Sequence, residues 1–236
     1  MLDTLNPEKI LFLDIETAPL WPDYQSIPEY MKPFWDIKAG HLKKTETETP
    51  EELYNKAGIY AEFAKIICIS VAYFHGSTLR VKSFSGHDEK NLLEKFATLV
   101  KSFFKNNDCY LAAHNGKEFD FPFIARRMVV NEIPIPQPLD NAGKKPWEVQ
   151  HIDTMELWKF GDYKHYTSLS LLATILGIPT PKDDIDGSMV ASVYWLENDL
   201  DRIVRYCQRD TITVARLICR YKGLKWPGEE SIVIVP

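Results

Sequence analysis

The sequence lacks any long hydrophobic run. None of its segments approaches the roughly 20 consecutive apolar residues that a helix needs to cross a bilayer. Of the 236 residues, 45% are apolar and 26% are charged, as is usual for a globular protein with a sizeable core. Residues 1–9 carry acids and no apolar stretch, so we expect no secretory signal. These features favour a single domain over residues 1–236 with no membrane partner.

Cysteine is scarce and dispersed. The four cysteines are Cys68, Cys109, Cys207 and Cys219. They form no C-x-x-C pair and show no Cys–His spacing typical of a zinc site. Three of them lie in apolar runs, which favours small buried thiols and a reducing, cytoplasmic location.

An excess of positive charge is also missing, because the net charge is −5. Proteins that grip nucleic acid over a broad surface are usually basic. Any contact with nucleic acid is therefore expected to be local. The chain has no Gly-rich phosphate loop and no Gly-x-Ser-x-Gly elbow, the signatures of two large enzyme classes.

Apolar runs predict five strands and periodic patterns predict five helices. The strands are 10–14, 66–74, 78–84, 109–113 and 149–154. The turn at 75–77 joins the second and third strands as a hairpin, so the first three can form an antiparallel sheet. The helices begin at caps or apolar stripes near Asp88, Asp120, Leu169, Ser188, and Asn198 or Asp199.

Residues 20–63 interrupt this regular pattern. The segment is rich in tryptophan, tyrosine and proline, which is not typical of disorder. We expect an excursion packed on the domain, with a short helix near Pro50–Ala57. It either borders a functional site or is simply held down by aromatic anchors.

Asp14 and Glu16 follow four apolar residues of the first strand. Because a strand alternates its faces, both carboxylates leave it on the same side. Neighbouring carboxylates repel each other unless a cation lies between them, and hard cations such as Mg²⁺ or Mn²⁺ prefer oxygen ligands. The alternative is a pair of solvated acids in a turn.

Two further groups of residues strengthen the metal-site interpretation. Asn115 and Phe119-Asp120 lie between a strand and a helix, although a helix start alone explains an acid at Asp120. Tyr206 and Asp210 are four residues apart and so share one helical face. By itself such a pair is more often an interface tyrosine near a solvated acid.

The ordered motifs Asp-x-Glu, Asn-x-x-x-Phe-Asp and Tyr-x-x-x-Asp together resemble the DEDD superfamily of 3′–5′ exonucleases. The tyrosine matches the DEDDy branch, which includes the proofreading domains of family-A and family-B DNA polymerases. Ile178-Pro179, Asp186-Gly187-Ser188 and residues 203–207 are similar to bacterial proteins predicted as stand-alone relatives of the family-B exonuclease domain. The resemblance covers nearly the whole chain and is least in 20–63.

The resemblance implies an α/β, ribonuclease-H-like fold with a mixed five-stranded sheet, its first three strands antiparallel, flanked by helices. It also implies hydrolysis of phosphodiester bonds at single-stranded or frayed 3′ ends, with DNA favoured and 5′-mononucleotides released. Two divalent cations, Mg²⁺ or Mn²⁺, would serve as cofactors.

The implied roles are specific to individual side chains. Asp14 bridges both ions, Glu16 and Asp210 hold the ion that activates water, and Asp120 acts on the second ion, through water. Tyr206 orients the attacking water, since a tyrosine with an ordinary pKa of about 10 is a poor base.

Substrate contacts are assigned to Ile15, Thr17, Asn115 and Phe119, although core packing explains Phe119 equally well. Lys164, His165 and Lys182 are candidate phosphate contacts or ordinary surface charges. His151 and Asp153 are expected to be structural.

Two alternatives stay open at this stage. One is a 3′–5′ exoribonuclease or oligonucleotide-degrading enzyme using the same site. The other is a non-catalytic nucleic-acid-binding or scaffolding module. A replication or repair partner and the oligomeric state are not readable from the sequence.

Overall fold

A mixed β-sheet forms the centre of the computed structural model, which describes residues 5–105, 108–162, 166–179 and 185–236. Its strands are β1 (Ile10–Pro19), β2 (Ala64–His75), β3 (Thr78–Ser85), β4 (Tyr110–Ala113), β5 (Ile152–Asp153) and β6 (Ile232–Ile234). The order across the sheet is β5-β4-β1-β2-β3-β6. β1 therefore lies inside the sheet, with neighbours on both edges.

The helices cover both faces of this sheet. They are α1 (Lys32–Leu42), α2 (Glu89–Phe103), α3 (Asp120–Val130), α4 (Thr154–Lys159), α5 (Leu169–Ile175), α6 (Val190–Ser192) and α7 (Leu200–Tyr221). A single π-helical turn, Val193–Glu197, continues α6. Among the described helices, none is both long and apolar enough to span a bilayer.

The strand directions agree with the sequence-based prediction. β1–β2 and β2–β3 are antiparallel, whereas β4 and β5 join on the other side in parallel. All five predicted strands are present, and the sheet has a sixth strand that was not predicted. The additional strand, β6, is three residues long and largely exposed, and it pairs with β3 at the sheet edge. Its short apolar run carries no pattern that would distinguish it from a terminal loop.

The alternation of β1 decides which side its acids occupy. Leu11, Leu13 and Ile15 pack into the core beneath α2 and α3. Ile10 and Phe12 pack on the opposite face, against the second half of α7. Asp14 and Glu16 continue this second face beyond its apolar part, because successive side chains alternate along a strand.

Four of the five predicted helix starts agree with the structure, including α3 at Asp120 and α5 at Leu169, and one does not. Asp88 accepts a hydrogen bond from the backbone N–H of Asn91 at 3.1 Å, and Asp199 does the same for Arg202 at 3.0 Å. Ser188 does not cap a helix. Its hydroxyl and its N–H both donate to the carboxylate of Asp186. Helix α6 therefore begins at Val190, after Met189, and has no side-chain cap.

The excursion at 20–63 contains a small aromatic core of its own. Trp35, fully buried, packs edge-on against Tyr54 and Phe63, with ring centroids 5.3 and 5.2 Å away. Its indole N–H donates to the carbonyl of Pro50 at 2.8 Å. Aromatic anchors thus hold this segment together, and the sequence pattern had not indicated α1 within it.

A buried polar network joins α2 and α3 to the end of the excursion. Arg127 on α3 makes two hydrogen bonds to Glu89 on α2, at 2.9 and 2.6 Å, and a third to the carbonyl of Ala61. Glu89 also accepts from the N–H of Ile66 at 2.7 Å. Both charged side chains are less than one-tenth exposed, so each depends on the other for compensation.

Replacing Arg127 with methionine is expected to lower the free energy of unfolding by about 3–5 kcal/mol, because Glu89 would stay buried without its partner. Urea unfolding measures this change. Arg126→Met is the matched control, since Arg126 is the exposed neighbour on the same helix. Equal losses from the two variants would contradict the assigned importance of the ion pair.

Candidate active site

Asp14 and Glu16 lie side by side in the middle of β1. Glu16 is only 7% exposed. Asp14 is partly exposed, but its Oδ2 atom is buried and has no hydrogen-bond partner among the described residues. A β-bulge follows directly, between Glu16 and Thr17. Buried carboxylate oxygens without donors are costly, so this position fits a bound cation.

Asp120 reaches the same place from the first turn of α3. It is 3% exposed, and its Oδ1 accepts a hydrogen bond from the backbone N–H of Ile15 at 3.2 Å. The start of α3 is thereby fastened to β1, between the two acids of that strand. Burial, the largest cause, together with the charges of Asp153 and Asp210, raises the pKa of Asp120 to about 7.

Helix α7 brings the remaining pair. The thiol of Cys207 donates to the carbonyl oxygen of Asp14 at 3.3 Å, and the hydroxyl of Thr211 donates to the carbonyl of Ser70 at 3.3 Å. These contacts seat α7 across β1 and β2. Tyr206 and Asp210 lie one turn apart on it, and their side chains are hydrogen-bonded to each other.

The electrostatics show that the four carboxylates share one site. Burial raises the pKa of Asp14 most, followed by the charges of Glu16, Asp210 and Asp120. Burial likewise raises the pKa of Glu16, with Asp210 the next cause. The pKa of Tyr206 is raised by burial first, and then by the charges of Asp210, Glu16 and Asp14. The arrangement concentrates negative charge, which a divalent cation would neutralise.

The loop before α3 is held by Asp153 at the end of β5. The carboxylate of Asp153 accepts hydrogen bonds from the N–H groups of Asn115 at 2.9 Å and Lys117 at 3.1 Å. It also caps α4 through the N–H of Met155. Asn115 has a left-handed φ of 60°, so this bonding stabilises an uncommon backbone conformation. Asp153 therefore has a structural role, as the sequence suggested.

His151 is also engaged structurally. It lies against Phe121, with ring centroids 5.1 Å apart, and its two ring nitrogens contact the N–H of Leu111 and the carbonyl of Pro138. Burial lowers the pKa of His151 to about 4. The side chain is thus neutral at physiological pH, and it packs against Phe121 in the first turn of α3.

The four predicted substrate contacts occupy different environments. Asn115 is partly exposed, and its Oδ1 has no partner among the described residues. Phe119 is partly buried and packs on Phe123, with centroids 5.4 Å apart. The Ile15 side chain is 5% exposed and belongs to the core, whereas the Thr17 hydroxyl donates to the carbonyl of Gly58 at 2.6 Å. Their contact with substrate stays a prediction.

The three candidate phosphate contacts, Lys164, His165 and Lys182, lie outside the described residues. Tyr166, which the sequence reasoning missed, lies within them and is 69% exposed. The next residue, Thr167, accepts a hydrogen bond through its carbonyl from His114 Nε2 at 2.9 Å, beside Asn115. The pKa of Tyr166 is raised by partial burial and then by Glu118, Asp153 and Asp120. A lone tyrosine outside any periodic pattern carried no signal for this position.

The fold is that of a polymerase exonuclease domain. The chain is similar to a solved structure described as the family B DNA polymerase from the hyperthermophilic archaeon Pyrobaculum calidifontis, with a TM-score of 0.51 and 16% sequence identity. The match covers 89% of this chain and 24% of that polymerase chain, so this chain spans about a quarter of the polymerase's length. At this identity the likeness establishes the ribonuclease-H-like α/β fold.

Sequence comparison identifies the family. Residues 59–226 match the family described as "Predicted 3′–5′ exonuclease related to the exonuclease domain of PolB". The chain belongs to this family, which confirms the resemblance to relatives of the family-B exonuclease domain. The matched range contains Asp120, Tyr206 and Asp210. Asp14 and Glu16 precede it in the chain, and the fold is what brings them to the same site.

The carboxylate cluster predicts a pH-dependent stability in the presence of a chelator. The pKa of Asp120 rises from 3.8 in the unfolded chain to about 7 in the metal-free folded chain. The stability contributed by this raised pKa is present below about pH 4 and is lost as the pH rises through about 7. An asparagine side chain at this position would not titrate. Asp120→Asn should therefore gain stability relative to wild type between these pH values.

Urea unfolding in chelator, at about pH 5 and about pH 8, measures the effect. The gain in free energy of unfolding of Asp120→Asn over wild type should be larger at the higher pH. It should be at most a few kcal/mol, since one pKa unit corresponds to about 1.4 kcal/mol. Asp201→Asn, an exposed acid on α7, is the control. A difference between Asp120→Asn and wild type that does not change with pH would refute the raised pKa.

Proposed function

We propose that this protein is a metal-dependent 3′–5′ exonuclease that removes 5′-mononucleotides from single-stranded or frayed 3′ ends, with DNA as the favoured substrate. The observation that carries the proposal is the convergence of Asp14, Glu16, Asp120 and Asp210 from β1, α3 and α7. Their shared negative charge, with Asp14 Oδ2 unpartnered among the described residues, suits a cation site in a chain of this exonuclease family.

The donor set fits hard divalent cations. Carboxylate oxygens are the ligands that Mg²⁺ and Mn²⁺ prefer, and the acids on β1, α3 and α7 would hold two such ions, with Asp14 central. When bound, such ions activate a water molecule and stabilise charge on the leaving oxygen of a phosphodiester. The protein's own contribution is to hold the four acids in fixed positions.

Tyr206 is placed to orient the attacking water. Its hydroxyl is hydrogen-bonded to Asp210 and lies close enough to Glu16 and Asp14 to sense their charges. Tyrosine normally loses its proton near pH 10, so at neutral pH its hydroxyl is a hydrogen-bond donor and acceptor. This favours positioning of a water molecule over removal of its proton.

The 3′ end of the substrate would enter between the loop at 114–119 and the start of the segment at Tyr166. Phe119 and Tyr166 would supply aromatic surface, and Asn115 lies beside them with a buried side-chain oxygen that has no partner among the described residues. Unpaired bases stack on such side chains without sequence preference. The net charge of −5 suits a short, local contact. A cytoplasmic location stays a prediction from the cysteine pattern.

The direct test follows release of nucleotides from single-stranded DNA and from RNA of matched sequence, each labelled near the 3′ end. Reactions contain Mn²⁺, Mg²⁺ or chelator. Stepwise shortening that requires metal is expected, and it should be faster on DNA. Faster shortening of RNA would favour the exoribonuclease alternative, and binding without turnover of either strand would favour a non-catalytic module.

Asp14→Ala is expected to lower kcat by at least about 100-fold, the size of loss caused by removing one preorganised charge-stabilising group. Tyr206→Phe should lose less, because a water held by the acids keeps part of its orientation. Asp201→Ala, an exposed acid on α7, should retain wild-type turnover. An equal loss from Asp14→Ala and Tyr206→Phe would overturn the ranking of their roles.

Tyr166→Ala is expected to raise KM for single-stranded substrate by roughly 5- to 100-fold, since base–aromatic stacking contributes about 1–3 kcal/mol. The change in kcat should be smaller. Tyr30→Ala provides the comparison, because Tyr30 is 73% exposed in the excursion. Unchanged KM in Tyr166→Ala would remove this residue from the substrate path.

A further inference from the structure

A thiol lies directly beside the carboxylates of the candidate site. Cys207 is fully buried, and its Sγ donates to the carbonyl of Asp14 at 3.3 Å. One side-chain ligand atom each from Asp14, Glu16 and Cys207 falls within 4.8 Å of the others. Sulfur at this position is not needed for binding Mg²⁺, which selects oxygen ligands.

The two acids facing this thiol have no competing side-chain partners among the described residues. Glu16 is more than nine-tenths buried, and the causes that raise its pKa are burial and neighbouring charges, with no hydrogen bond among them. The buried Oδ2 of Asp14 is unpartnered among the described residues. A polar atom as deeply buried as Asp14 Oδ2 normally has a partner, so its surroundings fit a bound ligand.

We propose that Asp14, Glu16 and Cys207 together form a binding site for a thiophilic divalent ion of the Zn²⁺ or Cd²⁺ type. Two carboxylate oxygens and one sulfur are a donor set that these ions accept in tetrahedral geometry, with a fourth position left for water. On binding, the thiol proton passes to solvent and the sulfur ligates as thiolate.

Such an ion would use the same two acids that the proposed hydrolysis requires. A tetrahedral ion drawn toward Cys207 would exclude the hard cation from Asp14 and Glu16, so trace Zn²⁺ would inhibit the enzyme. This regulatory consequence rests on the proposed function. The binding site itself does not, because it depends only on the three side chains.

The experiment titrates the whole metal-free chain with Cd²⁺ alone, in a non-thiol reductant and without nucleic acid. The ultraviolet charge-transfer band of a cadmium thiolate reports the bond to sulfur. Wild type and Cys109→Ser should both develop the band and saturate at one equivalent, since Cys109 is the partly exposed thiol away from the site. Cys207→Ala should lose it.

A second variant tests the site even if Cys207→Ala misfolds, which circular dichroism would reveal. Glu16→Gln keeps the thiol and removes one oxygen ligand. It should weaken Cd²⁺ binding by more than the roughly 10- to 100-fold that loss of an outer-shell partner costs. Unweakened binding in Glu16→Gln, a band retained in folded Cys207→Ala, or a band lost in Cys109→Ser would each overturn the proposal.

The outcome is separable from that of the nuclease assay. An active nuclease that shows no cadmium–thiolate band would refute the thiophilic site and leave the proposed function intact. A band that depends on Cys207 and Glu16, in a chain without nuclease activity, would support the metal site and count against the exonuclease.

Discussion

Mutual repulsion among buried carboxylates is the constraint on which the structure around the site depends. Asp14 and Glu16 stand on one face of β1, and Asp120 and Asp210 are folded against them. Without a cation each negative charge raises the pKa of its neighbours and makes the folded state less favourable at neutral pH. The rest of the domain supplies the stability that holds this arrangement together.

That stability comes from backbone contacts made by the functional elements themselves. The N–H of Ile15 binds Asp120, and the carbonyl of Asp14 accepts from Cys207. On the far side of the loop, Asp153 holds the left-handed Asn115 in place. Since each contact joins two elements, the acids are held in position through the backbone of β1, and the buried Oδ2 of Asp14 stays without a partner among the described residues.

The same geometry places a soft ligand beside hard ones. Cys207 contributes to packing and fixes α7 on β1, so its presence has a structural reason. A buried sulfur also lies within reach of Asp14 and Glu16, and ligand softness as well as charge decides which ions bind. In the proposed thiophilic site, metal selectivity would therefore depend on the helix–strand contact as much as on the acids.

Local patterns were enough to predict much of the molecule. Period-two and period-3.6 patterns identified the five main strands, the Asp88 and Asp199 caps and the shared side of Asp14 and Glu16, because each depends on residues close together in the chain. The ordered motifs also indicated the family. The predicted cap at Ser188 failed because Asp186 competes for the same groups, and β6 was missed because only its partner strand defines it.

Other properties were decided by tertiary structure alone. The contacts of Asp120 with Ile15, of Cys207 with Asp14 and of Thr167 with His114 join residues 53 or more positions apart. Burial of Glu16 and the missing partner of Asp14 Oδ2 among the described residues likewise depend on what α3 and α7 cover. The sequence by itself determined which chemical groups are present and on which local face they lie. Only the fold determined their distances and their exposure to water, because both depend on how separate elements pack.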